Sequence, residues 1–234
     1  MGLQTVTWLI EGEVLHRDSL GSEQLITKGQ LNLMTTGHGV SHAEETTGNY
    51  QGTVQGIQLW IAQPDSTRNA RPDFAHHPQL PQFGLSGGVA TVLIGELEDM
   101  KSAARYDTPL VGIDLELHHR STVALTTSFE YGLIVLEGMI EINAVALVPG
   151  QLAYLGLGHD HVTIDVGGTT RAILLGGEPF MEPIQMWWNF VGRSQGEFDE
   201  AYSSWRDQDG RFGAVASTLQ RIEGAAPYWR HTPK

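Results

Sequence analysis

The chain has 234 residues, 41% of them hydrophobic, no cysteine, and a formal charge of −13 from 27 acidic against 14 basic residues. That is enough length and apolar content for one large or two small globular domains, and the missing cysteines exclude disulfides, thiolate nucleophiles and sulfur ligands, leaving His, Asp and Glu for any metal site. The charge opposes direct nucleic-acid binding, and with no apolar run near membrane-helix length and no secretory leader, a soluble, cytoplasmic protein is expected.

Short stretches rich in Val, Ile, Leu, Thr and Trp recur between Gly, Asp and Pro punctuation, the texture of many short strands. In chain order the clearest are Thr5 to Ile10, Val54 to Ile61, Val89 to Ile94, Val111 to Leu117, Thr122 to Thr127, Leu133 to Leu136, Val162 to Val166 and Arg171 to Leu175. So many in one chain predict an all-β sandwich or barrel architecture. Between Gln63 and Gln82, Pro64, Pro72, Pro78 and Pro81 interrupt any regular ladder, because proline lacks the donor; the linker is placed there, giving domains 1–82 and 83–234. Near the end, Ser194 and Glu197 have capping-box spacing, and Phe198, Tyr202 and Trp205 follow on one face, which predicts an amphipathic helix packed across a barrel.

The chain also repeats itself. "TVTWLIEGEV" from Thr5 matches "YGLIVLEGMI" from Tyr131, with Glu11-Gly12 against Glu137-Gly138. "KGQLNLMTTGHGVSHAE" from Lys28 matches "PGQLAYLGLGHDHVTID" from Pro149, with Gly29 against Gly150; the first copy is five residues longer between the two matches, a difference assigned to the intervening turn. Strand, Glu-Gly turn, strand, glycine, strand, glycine-rich bend and strand is the order of a cupin barrel. The expected fold is therefore two cupin, jelly-roll-like β-barrels in tandem with a C-terminal helix.

The segments "LQTVTWLIEGEVLHRDSLGS", "LNLMTTGHGVSHAEE", "GIQLWIA" and "GGEPFMEPIQMWWNFVGRS" resemble the pirin family over most of the chain. The resemblance implies a bicupin whose N-terminal barrel holds a mononuclear metal, commonly iron, through a His-x-His pair and a later His-x-Glu pair. "GVSHAE" supplies the second pair as His42 and Glu44. At i and i+2 of a strand they share one side and are expected to point into the barrel. Imidazole with carboxylate suits iron, manganese or nickel, and Fe(2+) or another divalent transition metal is the expected cofactor. In the family pattern the first pair stands immediately before the residues matching Gly2-Leu3. The sequence is therefore expected to begin part-way through the first barrel, leaving that barrel incomplete, poorly stable and weak in metal retention.

In the second copy His42 aligns with Thr163 and Glu44 with Asp165, while Ala124 and Thr126 fall where the first pair would stand, so that barrel is read as structural. His159 and His161 are read as surface residues of a bend, and His118 and His119, facing opposite ways, as a solvated turn. His76 and His77 are placed in the exposed linker and Trp187 and Trp188 in packing, while beside His16 the resemblance makes Arg17 and Asp18 a hairpin-turn feature rather than chemistry. His38 matches no family ligand. Nucleotide-binding and hydrolase motifs are absent.

The resemblance implies two readings. In one, the protein is a quercetin 2,3-dioxygenase acting on a flavonol, with Glu44 as both ligand and proton acceptor. In the other it is a non-enzymatic, iron-dependent regulator that works through a protein partner. An inactive relic is the third expectation for a chain with only half the ligand set.

Overall fold

The computed structural model describes residues 1–231, which form two compact units: Met1–Pro78 with the segment from Glu182 onward, and Gln79–Met181. All strand pairs are antiparallel. In the first unit the chain lays down β1 (Leu3–Glu11), β2 (Glu13–Asp18), β3 (Glu23–Thr27), β4 (Leu31–Thr35), β5 (His42–Glu45), β6 (Gln55–Ala62) and β7 (Asp73–His77). These form one sheet in the order β6-β1-β4-β7 and a second in the order β3-β2-β5.

The second unit contains β8 (Gln82–Leu85), β9 (Gly88–Leu97), β10 (Met100–Lys101), β11 (Leu110–Leu117), β12 (Ser121–Ala124) and β13 (Glu130–Glu137). It continues through β14 (Ile140–Ile142), β15 (Val145–Leu147), β16 (Leu152–Leu155), β17 (His161–Val166) and β18 (Thr170–Gly177). The chain then makes the ribbon β19 (Gln185–Trp187) and β20 (Phe190–Gly192) and the helix α1 (Gln195–Asp207).

The alternation of the strands builds the second unit's core. Tyr131, Leu133 and Val135 of β13 are buried, as are Ile113, Leu115 and Leu117 of β11, and both sets join one cluster with Ile140 and Ile164. Deletion of one of these side chains would cost about 2 to 5 kcal/mol, so this unit is held mainly by apolar packing.

The internal repeat is visible as matched register. Trp8 of β1 stands opposite Leu31 of β4, and the aligned Ile134 of β13 stands opposite Leu152 of β16. The turns agree atom for atom. Gly29 N–H donates to Leu9 O at 2.8 Å and Gly150 N–H to Val135 O at 3.0 Å, while Gln30 Oε1 accepts from Thr27 N and Gln151 Oε1 from Val148 N. Gly12 and Gly138, with φ of +90° and +76°, close both Glu-Gly turns where a Cβ would meet backbone oxygen at 2.8 and 2.6 Å.

Three sequence expectations need correction. The length difference between the copies lies in strands as well as turn: β2 and β3 have six and five residues, whereas β14 and β15 have three each around Asn143 and Ala144. The proline-rich segment 63–82 is not a plain linker, because Pro72 and Pro78 flank β7 and leave its donors intact, so it pairs with β4 along five residues. And the C-terminal segment groups with the first unit rather than with residues 83–181. Its aromatic side chains explain why: Phe190, Phe198 and Phe212 bury themselves with Met1, and Trp187, Trp188, Tyr202 and Trp205 pack around them.

The helix start follows the capping pattern with a shift. Ser194 Oγ accepts from Glu197 N at 3.3 Å, but the Glu197 carboxylate takes the Arg193 N–H at 3.1 Å and the Arg68 guanidinium at 2.8 and 3.1 Å. Among the described residues no helix is long and apolar enough to cross a membrane.

Candidate metal centre

β2 and β5 bring the site together. Their register sets His16 opposite Glu44 and Asp18 opposite His42. His42 and Glu44, two residues apart on β5, share a face, and His16 of β2 joins them so that one ligand atom from each lies within 4.8 Å of the others. Two donors on one first-row ion, each about 2.0 to 2.2 Å from it, are at most about 4.4 Å apart, so small side-chain rotations would suffice to bind one. Two imidazoles and a carboxylate fit a divalent transition metal that keeps positions open for other ligands.

His16 is not among the residues expected here; its neighbours Arg17 and Asp18 are read from the resemblance as a hairpin-turn feature. It lies instead within a strand, only 3% exposed, because the longer first-copy hairpin carries β2 alongside β5. Its ring stacks on Phe74 with centroids 4.5 Å apart and planes 11° from parallel, and lies 5.6 Å from the His42 ring. His16 Nε2 is 3.3 Å from the buried Asp18 carboxylate, whose other oxygen accepts from Leu20 N at 2.9 Å and Ser22 N at 3.0 Å. A carboxylate so placed on one ring nitrogen is the arrangement that orients a ligating imidazole. The alternation of Val14, His16 and Asp18 was the sequence signal that could have found it.

His42 and Glu44 share a face as expected, and that face meets the opposing sheet, where Gln58 and Thr7 reach Glu44, while both side chains keep part of their surface open to solvent. Protein crowding on its covered side still lowers the His42 pKa below the ordinary imidazole value, against the pull of Glu44. A neutral imidazole is the form that binds metal.

The opposing sheet presents a polar row to this site. Gln58, Thr7, Asn32 and His76 are consecutive register partners across β6, β1, β4 and β7. Gln58 Nε2 reaches both oxygens of Glu44, at 3.1 and 3.3 Å, and Thr7 Oγ1 donates to one of them at 3.4 Å. Asn32 Oδ1 meets His76 Nδ1 at 2.8 Å. His76 and His77 are thus half-buried strand residues, not exposed linker, and burial lowers both pKa values.

Among the described residues no other histidine joins this cluster. His159 and His161 are exposed, with His161 Nδ1 at 2.6 Å from Asp160, and His118 and His119 are exposed in a bend. His38 Nδ1 meets Ala70 O at 3.1 Å. In the second copy Thr163 pairs with Thr122 at 3.1 Å and Asp165 with Arg120 at 3.4 Å, ordinary polar contacts. Trp187 and Trp188 pack in the aromatic cluster.

Known proteins resemble both halves of this arrangement. One family model, described as Pirin, matches residues 1–61, and another, described as Pirin C-terminal cupin domain, matches 110–213. A "Pirin-like protein" of Caulobacter vibrioides is 34% identical over 212 residues, covering 88% of this chain and 73% of that protein. The chain belongs to the pirin family. This pirin is also 46% identical over 226 residues to a protein of Pseudomonas aeruginosa named "Putative quercetin 2,3-dioxygenase", with 96% of the chain and 70% of that protein covered. A crystal structure titled quercetin 2,3-dioxygenase from Acinetobacter baumannii superposes with a TM-score of 0.93 at 41% identity, covering 97% of this pirin and 77% of that chain. The fold is accordingly the tandem cupin fold.

Proposed function

We propose that this pirin is a metal-dependent dioxygenase of planar, oxygen-bearing aromatic compounds, with quercetin-type flavonols as the substrate class. The observation that carries the reading is the convergence of His16, His42 and Glu44, with one ligand atom from each within 4.8 Å of the others. The names of the relatives from Pseudomonas aeruginosa and Acinetobacter baumannii point the same way. His42 and Glu44 would hold the ion, Fe(2+) being our first candidate, with His16 beside them. When bound, such a metal lowers the proton affinity of a coordinated hydroxyl.

The chain's own groups do the rest. Desolvation on its covered side lowers the His42 pKa, which favours the neutral ring. Phe74 and Asp18 fix the plane and direction of His16. Glu44, open to solvent and held by Thr7 and Gln58, is the group that would accept the flavonol hydroxyl proton. The cysteine-free composition accords with the cytoplasmic address we assign.

The test is aerobic turnover of quercetin by the metal-loaded chain and by His42→Ala and Glu44→Ala variants, followed by loss of flavonol absorbance. Turnover that falls at least a hundredfold in both variants supports the reading. Turnover that is unchanged in them refutes it.

A further inference from the structure

We propose that Gln58 is the positioning residue of this centre, fixing the Glu44 carboxylate toward the two histidines and orienting Trp60 as an aromatic wall beside it. The inference rests on the metal-site reading above. Gln58 and Trp60 occupy alternate positions of β6 and so face the same way, and the face they share is the one that meets β5. The Trp60 indole N–H donates to Gln58 Oε1 at 3.3 Å, while Gln58 Nε2 straddles Glu44 Oε1 and Oε2 at 3.1 and 3.3 Å and reaches Thr7 Oγ1 at 3.3 Å.

Chemistry permits only one orientation of that amide. An indole nitrogen can only donate and a carboxylate can only accept, so the amide oxygen must face Trp60 and its NH2 must face Glu44. Glu44 is an exposed side chain on an edge strand, and its carboxylate is held by hydrogen bonds from Gln58 and Thr7. The Gln58 amide and Thr7 meet the carboxylate from the opposing sheet, while a ligand atom each of His16 and His42 lies within 4.8 Å of one of its oxygens. Partners of this kind govern how well a ligand holds its ion.

The same amide sets the wall. Trp60 is 39% exposed, so part of the indole remains open, and its opposite neighbour across the sheet is the small Thr5. A flat aromatic ligand with oxygen donors could lie against the indole while its oxygens face the Glu44 side. Gln58 therefore couples the ion-holding group to the ring-holding group through one side chain.

The experiment titrates nickel(II) into the purified chain by calorimetry, comparing wild type, Gln58→Met, Trp60→Ala, His42→Ala and Glu44→Ala. Methionine keeps the reach of glutamine without its amide. The proposal expects Gln58→Met to weaken nickel binding about tenfold with an unchanged thermal midpoint, since Gln58 is exposed. It expects Trp60→Ala to leave nickel affinity within about twofold and to weaken quercetin binding to the nickel-loaded chain at least about fivefold. Nickel binding lost in His42→Ala and Glu44→Ala but intact in Gln58→Met overturns the role of Gln58 and leaves the centre standing. Binding intact in all of them, or absent from wild type, overturns both. Unaltered quercetin affinity in Trp60→Ala overturns the wall.

Discussion

Replacing Asp18 separates two jobs that one buried carboxylate does. Its side chain is fully enclosed, with one oxygen bonded by the Leu20 and Ser22 N–H groups and the other facing His16. A backbone hydrogen bond to a charged acceptor contributes about 1.5 kcal/mol or more, so two give about 3 kcal/mol, reduced where water can reach the exposed Leu20. Asp18→Ala should therefore cost about 2 to 4 kcal/mol. Asp18→Asn keeps an oxygen for both turn donors but turns its NH2 toward His16 Nε2, so the imidazole must move its proton to Nδ1, and the variant should cost about 1 kcal/mol. Urea denaturation of the three proteins, read by tryptophan fluorescence, measures the difference. Equal stability of the alanine and asparagine variants, within about 0.5 kcal/mol, would show that the turn bonds contribute nothing and that the local account of β2 is mistaken.

Protonation offers two further checks. His42, His76 and His77 all have pKa values lowered mainly by desolvation, so as pH falls the fold takes up protons later than the unfolded chain does. Their contribution is level above about pH 6.5 and declines as pH falls below it; urea midpoints that stay flat from pH 8 to 5.5 would contradict this. Glu197 behaves in the carboxylate sense, its pKa lowered chiefly by the hydrogen bond from Arg68. Its contribution is complete above about pH 4.5 and is lost as pH falls through the depressed value, and Glu197→Gln should cost on the order of 1 kcal/mol at pH 7 and remove that acid limb. A variant that keeps the limb would assign it to another group.

Sequence disclosed the repeat because its markers are geometric necessities: Gly12, Gly29, Gly138 and Gly150 all take positive φ, and Gln30 and Gln151 make the same turn bond. His42 and Glu44 were legible because a two-residue spacing on a strand leaves no choice of face. Their contact with Gln58 and Thr7 was not, since it depends on how the second sheet faces β5. His16 was hidden by its context; a histidine beside Arg17 and Asp18 reads as a turn until β2 is seen to run on through it. The strand β7 was concealed by Pro72 and Pro78, which lie at its ends rather than inside. The return of the C-terminal aromatics to the first unit is a long-range choice that no local pattern encodes.

The most direct trial of the metal centre is a crystal of the chain grown with nickel(II) or iron(II) and measured at the metal's absorption edge. The account predicts an anomalous peak within bonding distance of His42 and Glu44, beside His16. A peak only at His159 and His161, or none at β5 in a crystal whose metal content is stoichiometric, would contradict it.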